Sequence, residues 1–189
     1  MGGLCRPAGA KGKSGKGDVT ILRTARLVLR PARMSDVADL HGVFGDPAAM
    51  QYWSTLPHAT VQETEDRVAA MIAAPSAESA DFVIEMGGRV VGKAGFWRLP
   101  EIGYILHRDV WGQGVATEAL TALLDHAFAE RALDTAIADV DPRNAGSIRL
   151  LEKLGFRETH RARNTYFIGE VWTDSVYFAM QQNDWRQRR

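Results

Sequence analysis

"EIGYILHRDVWGQGVATEAL", residues 101–120, sets a short apolar run ahead of two glycines and then a stretch of helical periodicity. Glu101–Leu106 mixes branched and aromatic residues, the composition of a buried strand. Past the glycines, Leu120, Leu123, Leu124, Ala127 and Phe128 recur at helical spacing, so a helix from about Val115 to Ala129 carries one apolar stripe, with Thr121, Asp125 and Glu130 on its wet side. The unit reads strand, glycine loop, helix. The first amides of such a helix lack internal partners and sit at the positive end of its dipole, while glycine lets an anion approach the backbone. A phosphate cradle is one reading of Gly112 and Gly114; a tight connection needing positive φ is the other, and the pair alone does not separate them.

Outward from this unit, "RLVLRP" (26–31) is a first strand stopped by Pro31. Ser35 caps a short helix carrying Val37, Leu40, Val43 and Phe44, ended at Gly45 and Asp46-Pro47. Thr60 with Glu63 forms a capping box ahead of a second helix with Val68, Met71 and Ile72 on its apolar face. "DFVIEMGGRVVGKAGFW" (81–97) is two β-rich runs about Gly87-Gly88, an antiparallel hairpin. Beyond the glycine-loop helix come a buried strand, "TAIADV" (135–140), and the helix of "DPRNAGSIRLLEKLGF" (141–156), which Gly155 stops. "NTYFIG" (164–169) and "VWTDSVYFAM" (171–180) close the chain as strands. This order disfavours a dinucleotide dehydrogenase, because the glycine loop follows the fourth strand and the third glycine of that fingerprint would fall at Thr117.

Composition narrows the function classes. The 189 residues hold 23 basic and 23 acidic side chains, so nothing draws the chain generally to nucleic acid or an anionic membrane, and no apolar run has the ~20 residues of a membrane span. Cys5 is the lone cysteine, which fits a cytoplasmic setting without internal disulfides. Residues 1–20 read as a disordered Gly- and Lys-rich leader and 21–189 as a single domain. Gly12-Lys13-Ser14 mimics the end of a phosphate-binding loop, but Pro7 stands where its first glycine belongs. The five histidines show no ligand spacing, so no metal is assigned.

Three motifs in this order, "TARLVLRP" (24–31), "EIGYIL…VWGQGVATEAL" (101–120) and "DPRNAGSIRLLEKLGF", resemble the GNAT superfamily of N-acetyltransferases, and within it the RimJ/RimL-like branch, over about residues 23–185. The resemblance implies an α/β (α+β) fold with a mixed, mostly antiparallel sheet of about seven strands, splayed between the fourth and fifth, and about four helices. It implies acetyl transfer from acetyl-CoA to an amine, either a protein N-terminus or a small molecule; a homodimer is left open. In that family the cofactor loop reads [Arg/Gln]-x-x-Gly-x-[Gly/Ala]. Here Gly112 and Gly114 match and Trp111 departs, which leaves the pyrophosphate to the backbone of Gly112, Gln113, Gly114, Val115, Ala116 and Thr117, with Arg143 as a second contact. Leu151 replaces the tyrosine that many members use to protonate the departing thiolate.

The remaining roles follow from the resemblance. A protonated amine has no lone pair, so a base must take its proton; Glu101, at the start of the fourth strand, is the candidate, against the alternative of a carboxylate simply facing solvent. Ser147 would meet the thiolate or the pantetheine, and Asn144 the pantetheine arm, unless each serves only the start of its helix. Backbone N–H groups at Ile105 and Leu106 would polarise the thioester carbonyl. His107 is an alternative base or a surface histidine, Tyr166 an alternative acid or simply a sheet aromatic, and Trp53, Trp97 and Trp172 are either cleft walls or core. A non-catalytic acyl-CoA sensor is the competing class, since Trp111 and Leu151 both leave room for one.

Overall fold

The computed structural model describes residues 20–188, so the leader, Cys5 and the Gly12-Lys13-Ser14 match lie outside the described residues, Thr20 apart. Eight strands form one sheet: β1 (Leu22–Arg23), β2 (Leu27–Arg30), β3 (Ala80–Met86), β4 (Arg89–Arg98), β5 (Glu101–Leu106), β6 (Thr135–Val140), β7 (Arg157–Ile168) and β8 (Val171–Gln181). Six α-helices accompany them: α1 (Val37–Phe44), α2 (Pro47–Met50), α3 (Val61–Ala73), α4 (Val115–Ala129), α5 (Ala145–Leu154) and α6 (Gln182–Arg188). The strand order is β1-β2-β3-β4-β5-β6-β8-β7, and every neighbouring pair is antiparallel except β5 and β6. The mixed, mostly antiparallel class expected from sequence is therefore the one found. Among the described residues no helix is long and apolar enough to cross a membrane.

The sheet has a core on each face. On one, α4 and α5 bury Leu120, Leu123, Leu124 and Leu151 against Leu27, Phe96 and Phe178. On the other, α1 and α3 set Leu40, Val43, Phe44 and Val68 over Val83, Val90 and Ile105. Gly87 and Gly88, both at positive φ, make the two-residue turn of the β3–β4 hairpin.

Four elements exceed the expectation, each for a local reason. Asp46-Pro47 does not only stop α1: the Asp46 carboxylate accepts the Ala48 N–H and Pro47 occupies the first turn of α2. β1 is a two-residue edge strand, and α6 carries only the buried Trp185 into the core. β7 begins seven residues before "NTYFIG", because Arg157–Arg163 is an exposed edge whose polar side chains show no buried alternation.

A buried ion pair ties β2 to the turn that follows it. Arg30 donates two hydrogen bonds to Asp36, at 2.8 Å each, and a third to Glu85 at 2.9 Å. Burial pushes the Asp36 carboxyl up, but the Arg30 guanidinium and the Arg33 N–H outweigh it and hold the group below its ordinary value. A carboxylate depressed in the folded state contributes stability that is present above its unfolded pKa, about 3.9, and is lost as pH falls through the folded pKa. Urea midpoints measured from about pH 5 downward should therefore fall more steeply for the parent than for Asp36→Asn.

Candidate active site

β5 and β6 run parallel but pair only at Glu101 and Ile137, where the Ile137 N–H donates to the Pro100 carbonyl at 3.0 Å. Beyond that point they part, toward the ends from which the glycine loop and the Asp141–Asn144 turn depart. The expected splay is thus present, and α4 and α5 both start at its open end, the position where parallel strands leave a crevice. The His107 N–H donates to the Val91 carbonyl. By alternation the Ile105 N–H also faces β4, whereas those of Tyr104 and Leu106 face the gap. Of the two expected thioester contacts, Leu106 has its N–H on the gap edge and Ile105 does not; its side chain belongs to the second core.

The glycine loop opens α4 with unpartnered amides. Gly112 and Gly114 hold φ of +71° and +78°, and Gly114 caps α4, so the amides from Val115 to Thr117 open the helix. Trp111 turns its indole back and donates to the Leu106 carbonyl at 2.9 Å, so its N–H is committed to the end of β5. Arg143 is engaged away from the glycine loop. It grips the Asp141 carboxylate at 2.5–3.2 Å, lies over Tyr52 and lines the opposite side of the gap. The cation beside the loop is Arg26, which donates to the Gln113 carbonyl at 3.0 Å and pairs with Glu118 at 2.7 Å.

α5 presents its first turn to the same side. The Asn144 Oδ1 accepts the Ser147 N–H at 3.0 Å, so Asn144 does cap the helix, and its Nδ2 is the group left to face a ligand. Tyr104, on the strand beside the gap, meets this turn, a contact that sequence reasoning missed. Its hydroxyl is buried without full hydrogen-bond geometry, the Ser147 hydroxyl stands beside it, and burial pushes the phenol up to about 12. Leu151 is fully buried in the helix-side core and offers no proton.

The other face of the gap opens into a cleft of about 560 Å³. Glu101 and Gly103 form part of its floor; Trp53 and Trp97 stand against Gly103 as cleft walls, Trp53 packing against the second core as well. Trp172 is exposed and tilts against Phe167 outside the cleft. Asp139 of β6, also missed from sequence, lines the cleft and accepts the Tyr166 hydroxyl at 3.2 Å. Burial, then the charges of Asp139 and Glu101, push the Tyr166 phenol to about 12. Tyr166 is accordingly a hydrogen-bond donor between two carboxylates. Glu101 has Arg98 at 3.5 Å. His107 takes no part in the cleft: its ring caps the turn at Asp109 and faces Gly42. Among the described residues no cluster could hold a metal ion.

Comparison with known proteins gives this geometry a context. Residues 26–157 match the model of an acetyltransferase (GNAT) domain. An uncharacterized N-acetyltransferase, p20, of Bacillus licheniformis is 33% identical over 147 residues, 72% of this chain and 82% of the relative. The spermidine N(1)-acetyltransferase of Escherichia coli (strain K12) is 26% identical over 83% of this chain and 87% of its own. The ribosomal L7/L12 acetyltransferase RimL, solved with coenzyme A, superposes with a TM-score of 0.77 at 21% identity, covering 87% of this chain and 99% of its own, and so shares the fold.

Proposed function

The chain belongs to the GNAT family of acetyltransferases, and from that premise we propose that residues 21–189 act as one domain that moves the acetyl group of acetyl-CoA to a primary amine. The observation that carries the reading is the gap between β5 and β6, with an anion cradle on its helix face and two carboxylates on its cleft face. Acetyl-CoA enters from the helix side. Its pyrophosphate takes the amides from Gln113 to Thr117, and its pantetheine arm runs along the free edge of β5 past Asn144. RimL is described with coenzyme A, which supports this cosubstrate.

Glu101 removes the proton from the ammonium, directly or through water, and Asp139 with Tyr166 orients the nitrogen. The nitrogen lone pair attacks the thioester carbon, and its oxygen takes negative charge toward the Leu106 N–H. As the C–N bond forms the C–S bond breaks. The nitrogen, now bonded to the acetyl carbon, sheds its second proton, and the leaving thiolate takes up one proton near Ser147, whose hydroxyl is backed by the protonated Tyr104. A spermidine and a ribosomal-protein acetyltransferase both stand among the relatives, so an amine acceptor is common ground and neither acceptor is singled out.

The cradle has its own test. A side chain in the left-handed region costs about 1–2 kcal/mol, so Gly114→Val should drive the loop out of its conformation and weaken CoA binding about tenfold or more. Calorimetry showing parental CoA affinity in that variant would remove the loop from the site. Amine-dependent release of thiol from acetyl-CoA tests the transfer itself.

A further inference from the structure

Arg67 is a charge that the transfer chemistry leaves unused. α3 carries it into the wall of the acceptor cleft, where its Nε is buried with no hydrogen-bond partner. No ion pair among the described residues includes it. Its neighbour Lys93, wholly buried, has its charge met by Asp81 at 2.6 Å, and Lys93 is also held over Trp53. The positive charge of Arg67 is felt at both Lys93 and His58, where it opposes protonation. The cleft therefore has two poles: Glu101 and Asp139 at the gap, and an uncompensated guanidinium on the α3 wall.

Arg67 is half-buried, and a guanidinium whose Nε is shut off from water and unpartnered lacks a hydrogen bond that a carboxylate in the cleft would supply, its planar fork matching that group. A polyamine would bring only more positive charge to that wall. On the reading of this cleft as the acceptor site, we propose that the acceptor is an amine that also carries a carboxylate, an amino-acid-type zwitterion whose ammonium faces Glu101 and whose carboxylate pairs with Arg67. The aromatic walls at Trp53 and Trp97 suit an apolar side chain between the two charges.

Matched probes test it: L-methionine and L-phenylalanine against their amides, with spermidine as the polycation. Calorimetry on the CoA-loaded protein with N-acetyl-L-methionine and its amide reads carboxylate recognition without turnover. We expect the acid to bind at least tenfold tighter than the amide, in line with a charged hydrogen bond. Arg67→Leu, or Arg67→Gln if the first does not fold, should bring that ratio toward one. Equal binding of acid and amide, or a ratio that Arg67→Leu leaves unchanged, overturns the proposal. In kcat/KM by thiol release, the amino acids should exceed their amides and spermidine by a similar factor; preference for spermidine also overturns it. Carboxylate-selective binding with no thiol release from any amine would instead sink acetyl transfer while leaving carboxylate recognition standing.

Discussion

Glu101→Gln should lower turnover at pH 7 by roughly 10²–10⁴-fold, with acetyl-CoA affinity held near that of the parent. The size follows from the acceptor. An amine of pKa about 8–10 is mostly protonated at pH 7, and the variant keeps the shape and hydrogen bonding of Glu101 while losing its proton acceptor. The loss should shrink as pH rises and free amine accumulates. Glu101 lies at the one point where β5 and β6 still pair, on the cleft face and beside the gap. Asp139 is the control, since Asp139→Asn removes the anion that accepts from Tyr166 without touching Glu101. Full activity of Glu101→Gln at pH 7 with saturating acceptor would transfer the base to Asp139 or to a water chain.

The second large effect concerns stability. Asp81→Ala should cost about 3–5 kcal/mol, because it strands the Lys93 ammonium, wholly buried between β4 and the cleft, without its counter-charge. Burial holds the Lys93 pKa below its ordinary value, and Asp81 works against that shift. Without Asp81 the folded state binds fewer protons at Lys93 than the unfolded chain does, so stability rises with pH between the folded pKa and the unfolded value of about 10.4. Urea titrations should show the deficit of Asp81→Ala narrowing as the solution is made alkaline. Replacing both residues by apolar ones of similar volume should recover much of the loss, since neither charge is then left alone. A deficit independent of pH would assign the cost to packing at Asp81 instead of to the stranded charge.

The parts of the molecule legible in the sequence are those written by local spacing. The glycine loop, the stripe of α4, the Gly87-Gly88 hairpin and the Asn144 start of α5 each depend on residues a few positions apart, and each is found where the spacing put it. α2 was hidden because Asp46-Pro47 signals a stop and a start alike, and β7 because an exposed edge strand has no buried face to print its period.

The site divides along the same line. The cradle is backbone, so glycine positions announce it. The cleft is assembled across the sheet: Arg67 comes from α3, Glu101 from β5, Asp139 from β6 and Tyr166 from β7. No local pattern couples these four, and Asp139 sits inside "TAIADV" as an ordinary polar position of a strand. Tyr104 was equally mute, because only the approach of α5 places Ser147 at its hydroxyl. Arg26 reaches the loop from the β1–β2 turn, a contact between residues 87 positions apart that no local pattern announces.

Thiol release from acetyl-CoA, followed against an amine panel with the acetylated product identified by mass, tests the central claim most directly. The account predicts release that depends on the amine, one N-acetylated product per thiol, and loss of both in Glu101→Gln at neutral pH. Tight CoA binding by calorimetry, with no thiol released above the buffer rate by any amine in the panel, would contradict it and make the gap between β5 and β6 the seat of an acyl-CoA sensor.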